Sequence, residues 1–125
     1  MVPSTVARGI PLEPLELARR VVEVALEKQA ADIVLLDVRA AVSFTDYLVI
    51  MSAESLRQMA SLAKAVELDL RPQDTQPRYR EGTPDSGWML LDYLDVVVHI
   101  FAPELRGYYR LEQVWQAARP LIRVQ

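Results

Sequence analysis

The chain has 125 residues, 51% hydrophobic and 25% charged, with no cysteine and a formal net charge of −3. That is one domain with enough apolar surface to offset chain entropy, which excludes a disordered chain. It also excludes disulfides, thiolate metal sites and cysteine nucleophiles, and the acidic balance disfavours direct binding to nucleic acid, DNA included.

Residues 1–12 hold Pro3, Gly9 and Pro11, lack periodicity and are expected as a flexible lead-in. Residues 13–118 are expected as the folded domain, and 119–125 as a tail. The first helix is predicted from Leu15 to Ala30, with Pro14 suited to a first helical position. Leu17, Val21, Val24 and Ala25 share its apolar face. Glu16, Arg20, Glu23 and Glu27 share the other, with Glu16 and Arg20 spaced as an i,i+4 pair.

Ile33 to Val38 reads as a strand buried on both faces, and Asp46 to Met51 as a second. About seven residues join them, too few for a helical crossover, so they should pair antiparallel. Ser52 is a candidate N-cap for a helix carrying Leu56, Met59, Ala63, Val66 and Leu70, stopped by Pro72. Residues 71–77 read as a polar loop, Arg78 to Arg80 as a short edge strand, and Glu81 to Gly87 as a turn cluster. Trp88 to Tyr93 and Val96 to Ala102 give the strongest strand signals, and the short link through Leu94 and Asp95 makes them a hairpin. Pro103 and Glu104 open a helical turn, Leu111, Val114 and Trp115 mark a short helix, and Pro120 ends it. The order α–β–β–α–β–β–β–α predicts a single α/β domain, a mixed sheet of about five strands with helices packed on it. No apolar run is long enough to span a bilayer and no secretory leader is visible, so no membrane partner is expected.

Catalytic chemistry finds little support in the residues. Two-metal phosphoryl transfer needs carboxylates converging on one point, as acids at i and i+2 of a strand do. Asp92 and Asp95 are three apart across a turn, where aspartate commonly accepts from backbone N–H groups. His99, the one histidine, sits between Val98 and Ile100, a setting more typical of a hydrogen-bonded structural residue than of a general base. No glycine forms a phosphate-cradling loop, no serine lies in a nucleophile elbow, and a zinc site lacks ligands. No metal or cofactor is expected. In the hairpin, by contrast, Trp88, Leu90 and Asp92 alternate onto one face, and Met89, Leu91 and Tyr93 onto the other. Both faces carry large apolar groups. A tryptophan and a tyrosine beside acids have the composition of an interface hot spot, and helices covering both faces are the equal alternative.

Four blocks, in order, make the chain similar to a known family. They are Leu36-Asp37-Val38-Arg39 with Phe44-Thr45-Asp46-Tyr47-Leu48-Val49-Ile50; Ser55-Leu56-Arg57-Gln58; Glu81-Gly82 with the run Trp88 to Phe101; and Arg106 with Tyr108-Tyr109, Leu111-Glu112 and Val114-Trp115. Together they resemble the ribosomal silencing factor (RsfS, or Iojap) family over residues 15 to 117. The resemblance implies a fold shaped like nucleotidyltransferases without their catalysis. It further implies a cytoplasmic, homodimeric translational repressor that binds the fourteenth-numbered protein of the large ribosomal subunit. There it obstructs joining of the small subunit. Trp88, Asp92, Tyr93 and Asp95 fall in the block that would face that protein. Two other readings compete: a metal-dependent nucleotidyltransferase-like enzyme using Asp92 and Asp95, and a dimeric scaffold for another basic protein. The chain departs from the family pattern in having Leu94 where the hairpin turn usually has glycine. A type I or bulged turn is therefore expected, and Ser52-Ala53-Glu54-Ser55 replaces a glycine-containing stretch before the second helix.

Overall fold

A computed structural model describes residues 12–73, 75–105 and 118–124. Helix α1 spans Pro14–Glu27, with Pro14 in its first turn, where a missing N–H costs nothing. It buries Leu17, Ala18, Val21, Val22, Val24 and Ala25. On its polar side Arg20 does not pair with Glu16 as the spacing suggested. Its Nε donates to Asp69 Oδ2 at 2.6 Å, tying α1 to the second helix. That helix, α2, spans Leu56–Leu70, and its N-cap is Ser55, whose hydroxyl accepts from Gln58 N–H at 3.0 Å. Ser52, the expected cap, is instead the last residue of a strand. Gln58 also binds the two helices together. Its Nε2 donates to the carbonyls of Lys28 and Gln29, which the end of α1 leaves without helical partners.

The strands are β1 (Ala31–Asp37), β2 (Tyr47–Ser52), β3 (Tyr79–Thr83), β4 (Trp88–Asp92), β5 (Val96–Phe101) and β6 (Arg119–Val124). They form one sheet in the order β3-β4-β5-β2-β1-β6. The expected antiparallel pairs β1–β2 and β4–β5 are both present. The sheet is mixed because β2 and β5 run parallel, Tyr47 opposite Val96 through Ser52 opposite Phe101. The segment between them supplies the helical crossover that a parallel pair requires.

Two expectations are corrected. The sheet has six strands, not about five, because residues 119–124 are no tail: they pair antiparallel with β1, Asp37 facing Arg119 and Ile33 facing Val124. Pro120 marks an edge strand, where its missing N–H breaks no interior ladder. Strand β3 also runs on into the predicted turn cluster, ending at Thr83. The predicted helix at Leu111, Val114 and Trp115 and the lead-in over 1–11 lie outside the described residues.

Both described α-helices pack on one face of the sheet. Their apolar stripes meet Ile33, Leu35, Tyr47, Val49, Met51, Leu91, Tyr93, Val96, Val98 and Ile100 there. The opposite face has a smaller cluster built from Val34, Leu36, Leu48, Ile50, Val97 and Phe101, with Trp88 and Leu90 partly buried against it. No residue of either described helix belongs to it. At the end of β1, Asp37 accepts from the backbone N–H, Nε and Nη2 of Arg39 at 3.0, 3.0 and 2.8 Å. This holds its carboxyl at about 2, below the usual carboxylate range.

The β4–β5 turn keeps the backbone shape of a glycine turn without the glycine. Leu94 has φ +78°, and Asp95 N–H donates to the Tyr93 carbonyl at 3.0 Å, closing a three-residue γ-turn rather than a type I turn. Asp92 Oδ1 accepts from Leu94 N–H at 2.7 Å and props the strained unit. Left-handed backbone costs a branched side chain about 1–2 kcal/mol, partly offset by the greater unfolded-state freedom of glycine. Leu94 is 49% exposed, so removing its side chain forfeits little packing. Leu94→Gly is expected to stabilise the fold by roughly 0.5–1 kcal/mol and raise the thermal midpoint by about 2–5 °C. Scanning calorimetry showing no rise would mean that the turn is unstrained.

Candidate partner-docking groove

The sheet register lines up a continuous strip on the face away from the helices. One row runs Tyr79, Asp92, Val97, Leu48 across β3, β4, β5 and β2, each residue directly opposite the next. The row above runs Glu81, Leu90, His99, Ile50. A third starts at Thr83, Trp88 and Phe101. Strand alternation puts these side chains on a single face, so apolar groups form the floor and acids mark the β3–β4 edge.

The floor is hollow. A groove of about 290 Å³ opens there, lined by Leu48, Leu90, Val97 and His99, with Phe44, Tyr79 and Asp92 around it. Phe44 is 60% exposed and Tyr79 53%, so both rings are open to a partner. They flank the groove from opposite sides, Phe44 from the β1–β2 connection and Tyr79 from the edge strand. Tyr79 is aimed by its own hydroxyl, which donates to Glu81 Oε1 at 3.2 Å. Arg78 reaches Asp92 only at 3.4 Å, a long, solvent-exposed contact that a competing cation can displace.

Trp88 lies beside the groove, half-buried. Its indole N–H donates to His99 Nδ1 at 3.1 Å, and the two rings stack with centroids 6.1 Å apart. Burial among these rings lowers the His99 pKa to about 4, so the imidazole is neutral near pH 7.

The four residues singled out in the sequence do not converge. Trp88 and Asp92 share the groove face, as alternation requires. Tyr93 is on the other face, 8% exposed within the main core. Its hydroxyl has no hydrogen-bond partner among the described residues, and burial raises its pKa, with the charge of Glu67 adding to the effect. Asp95 is exposed at the turn, where its main-chain carbonyl accepts from the N–H groups of Asp46 and Tyr47 and locks the turn to β2. Asp92 thus has the side-chain role that turn chemistry suggests, accepting from Leu94 N–H at 2.7 Å, and Asp95 contributes through its main chain. Among the described residues no group of three or more His, Asp or Glu side chains is placed to hold a metal ion.

Four residues that line the groove, Phe44, Tyr79, Leu90 and His99, are not among the partner-binding residues expected from the sequence. Alternation already places Leu90 on the face of Trp88. The position of Tyr79 follows only from the β3–β4 register, which no local pattern encodes.

Known proteins resemble the chain over most of its length. A family model described as "Ribosomal silencing factor during starvation" matches residues 11–125. The ribosomal silencing factor RsfS of Zymomonas mobilis is 32% identical over 103 residues, covering 82% of this chain and 77% of that protein. RsfS of Bacillus subtilis is 34% identical over 89 residues, 71% of this chain and 75% of its own. A solved structure of a Chromobacterium violaceum protein superposes with a TM-score of 0.80 at 29% identity, covering 91% of this chain and 95% of that one.

Proposed function

The chain belongs to the ribosomal silencing factor family, ribosome-associated repressors of translation, and from that premise we propose that it docks on the large ribosomal subunit and bars the small subunit by bulk. The proposed contact is the fourteenth-numbered protein of the large subunit, the partner that the family blocks in the sequence imply. One observation carries the reading: an apolar groove flanked by Phe44 and Tyr79 and edged by Asp92, with Trp88 beside it on its His99 wall, on the sheet face away from both described helices.

The physics of the face suits that role. Ribosomal proteins are typically basic, and a carboxylate-edged rim speeds encounter with a cationic surface and fixes its register. Affinity comes from the centre, where an aromatic anchor loses its water against a partner pocket. A dissociation constant of about 10 nM corresponds to roughly −11 kcal/mol, within reach of a few such anchors. Blocking by bulk needs no reactive group. Of the four residues expected to bind the partner, Trp88 and Asp92 are kept in this proposal. Asp95 acts through its main chain in shaping the turn, and Tyr93 acts as a core residue.

The test is co-sedimentation with isolated large subunits, followed by the fraction of joined ribosomes when small subunits are added. The protein should travel with the large subunit and lower the joined fraction in a concentration-dependent way. An unchanged joined fraction at saturation defeats the proposal. Trp88→Ala is expected to weaken binding by about 2 kcal/mol, roughly thirtyfold in Kd. A folded Trp88→Ala protein with wild-type affinity would remove the indole from the contact.

A further inference from the structure

An anchor residue contributes most when it is already oriented before the partner arrives, because the freedom it would lose on binding has been given up in folding. Trp88 sits in β4, one strand in from the sheet edge, and its indole is only half-buried. It packs against the cluster on that face and is held by a hydrogen bond as well. Its Nε1–H donates to His99 Nδ1 at 3.1 Å. The His99 ring is in turn stacked on Phe101, with centroids 5.9 Å apart and planes within 9°. Phe101 is 1% exposed, so the ladder Trp88–His99–Phe101 is fixed at its buried end. An indole N–H is a donor only, so His99 Nδ1 must carry the lone pair and Nε2 the proton.

We infer that His99 is a positioning residue for the docking face, a hydrogen-bond acceptor that holds the Trp88 indole in the orientation its partner meets. The inference rests on the docking function proposed above. It explains a polar ring in an otherwise apolar strand: a leucine of similar size would fill the space and leave the indole N–H unpaired and the ring free to turn.

The experiment compares wild type with His99→Asn and His99→Leu. Asparagine places its carbonyl oxygen close to where Nδ1 lies and can accept the indole proton, and leucine cannot. The first readout is the Trp88 indole N–H resonance and its exchange with solvent in ¹⁵N-labelled protein, assigned by its absence in Trp88→Phe. It is expected to be protected in wild type and His99→Asn, and to exchange at least tenfold faster in His99→Leu. The second is affinity for isolated large subunits, expected to fall about five- to tenfold in His99→Leu and to stay within twofold in His99→Asn. Trp88→Phe removes the same bond from the donor side. Adding His99→Leu to it should cost no more than a further twofold, and this cycle replaces the single variant if His99→Leu does not fold. Unchanged protection in His99→Leu, or lost protection with unchanged affinity, overturns the inference. If wild type itself fails to bind large subunits, the docking proposal falls, and the resonance measurement still decides whether His99 orients the indole.

Discussion

Gly82→Ala is expected to destabilise the protein by more than about 3 kcal/mol and to detach the strand carrying Tyr79. Gly82 has φ +84°, a backbone shape that costs an alanine about 1–2 kcal/mol by itself. The rest of the loss is steric. A Cβ at this position would lie 2.1 Å from the Trp88 carbonyl oxygen and 3.2 Å from the Met89 Cα, both backbone atoms of the neighbouring strand. They cannot step aside without opening the β3–β4 ladder, in which Gly82 faces Met89 and Thr83 faces Trp88. The Trp88 carbonyl also accepts from the Ser86 hydroxyl at 2.9 Å, so displacing it disturbs the turn as well. Gly87 is the control. It too has positive φ, at +81°, but a Cβ there meets the tip of the Leu105 side chain at 2.6 Å, which can rotate away. Gly87→Ala should therefore lose about 1–2 kcal/mol and keep the hairpin. Urea denaturation gives both numbers, and amide exchange across β3 and β4 locates the damage. Equal, small losses for the two variants would show that the β3–β4 contact is looser than its geometry requires. Because Tyr79 and Trp88 both move when this ladder opens, Gly82→Ala should also weaken subunit binding.

How much of the fold and the groove is legible in the residues depends on the range of the interaction. Helix α1 and the strands β1, β2, β4 and β5 follow from periodicity and turn residues, which are local signals. The face assignment of Trp88 and Asp92 follows from alternation alone, and the same rule already sets Tyr93 apart from them. Three features are beyond reach for a common reason. Strand β6 is the short run Arg119-Pro120-Leu121-Ile122-Arg123-Val124, with a proline inside and mostly exposed residues. It is a strand only because β1 offers a free edge. The cap moves from Ser52 to Ser55 because pairing of Ser52 with Ala31 extends β2 by one residue, a long-range contact outcompeting a local one. Arg20 chooses Asp69 over Glu16 because α2 brings a carboxylate 49 residues away into hydrogen-bond range. The family blocks mark the hairpin as the site, and the register then enlarges it from two strands to a strip four strands wide.

Acid should lower the stability of the protein in two separable steps, and His99 accounts for the first. His99 is the chain's only histidine, so no other side chain ordinarily titrates between pH 5 and 7. In the unfolded chain it takes up a proton near pH 6.5, while in the folded protein burial lowers its pKa to about 4. Between those values the unfolded state binds more protons, so stability falls as the pH drops. The contribution is complete above pH 6.5 and is lost by about pH 4. There the folded ring protonates too, placing a donor at Nδ1 against the indole N–H and breaking their bond. A shift of this size corresponds to on the order of 2–3 kcal/mol, taking the lower side of the conversion because the ring is only partly buried. Asp37 supplies the second step. Its pKa is held at about 2, chiefly by the side-chain hydrogen bonds from Arg39, against 3.8 ordinarily. Its stabilisation is present above pH 3.8 and is lost as the pH falls through 2. Denaturant midpoints measured from pH 7.5 to pH 2 should therefore decline from about pH 6.5 in wild type, with a second decline below pH 3.8. In His99→Asn they should stay level down to pH 4.5, since that variant keeps the acceptor and removes the proton. A level wild-type curve across pH 7 to 5 would mean that His99 charges freely in the folded state, and the ring ladder beneath Trp88 would not be the fixed support on which the docking face depends.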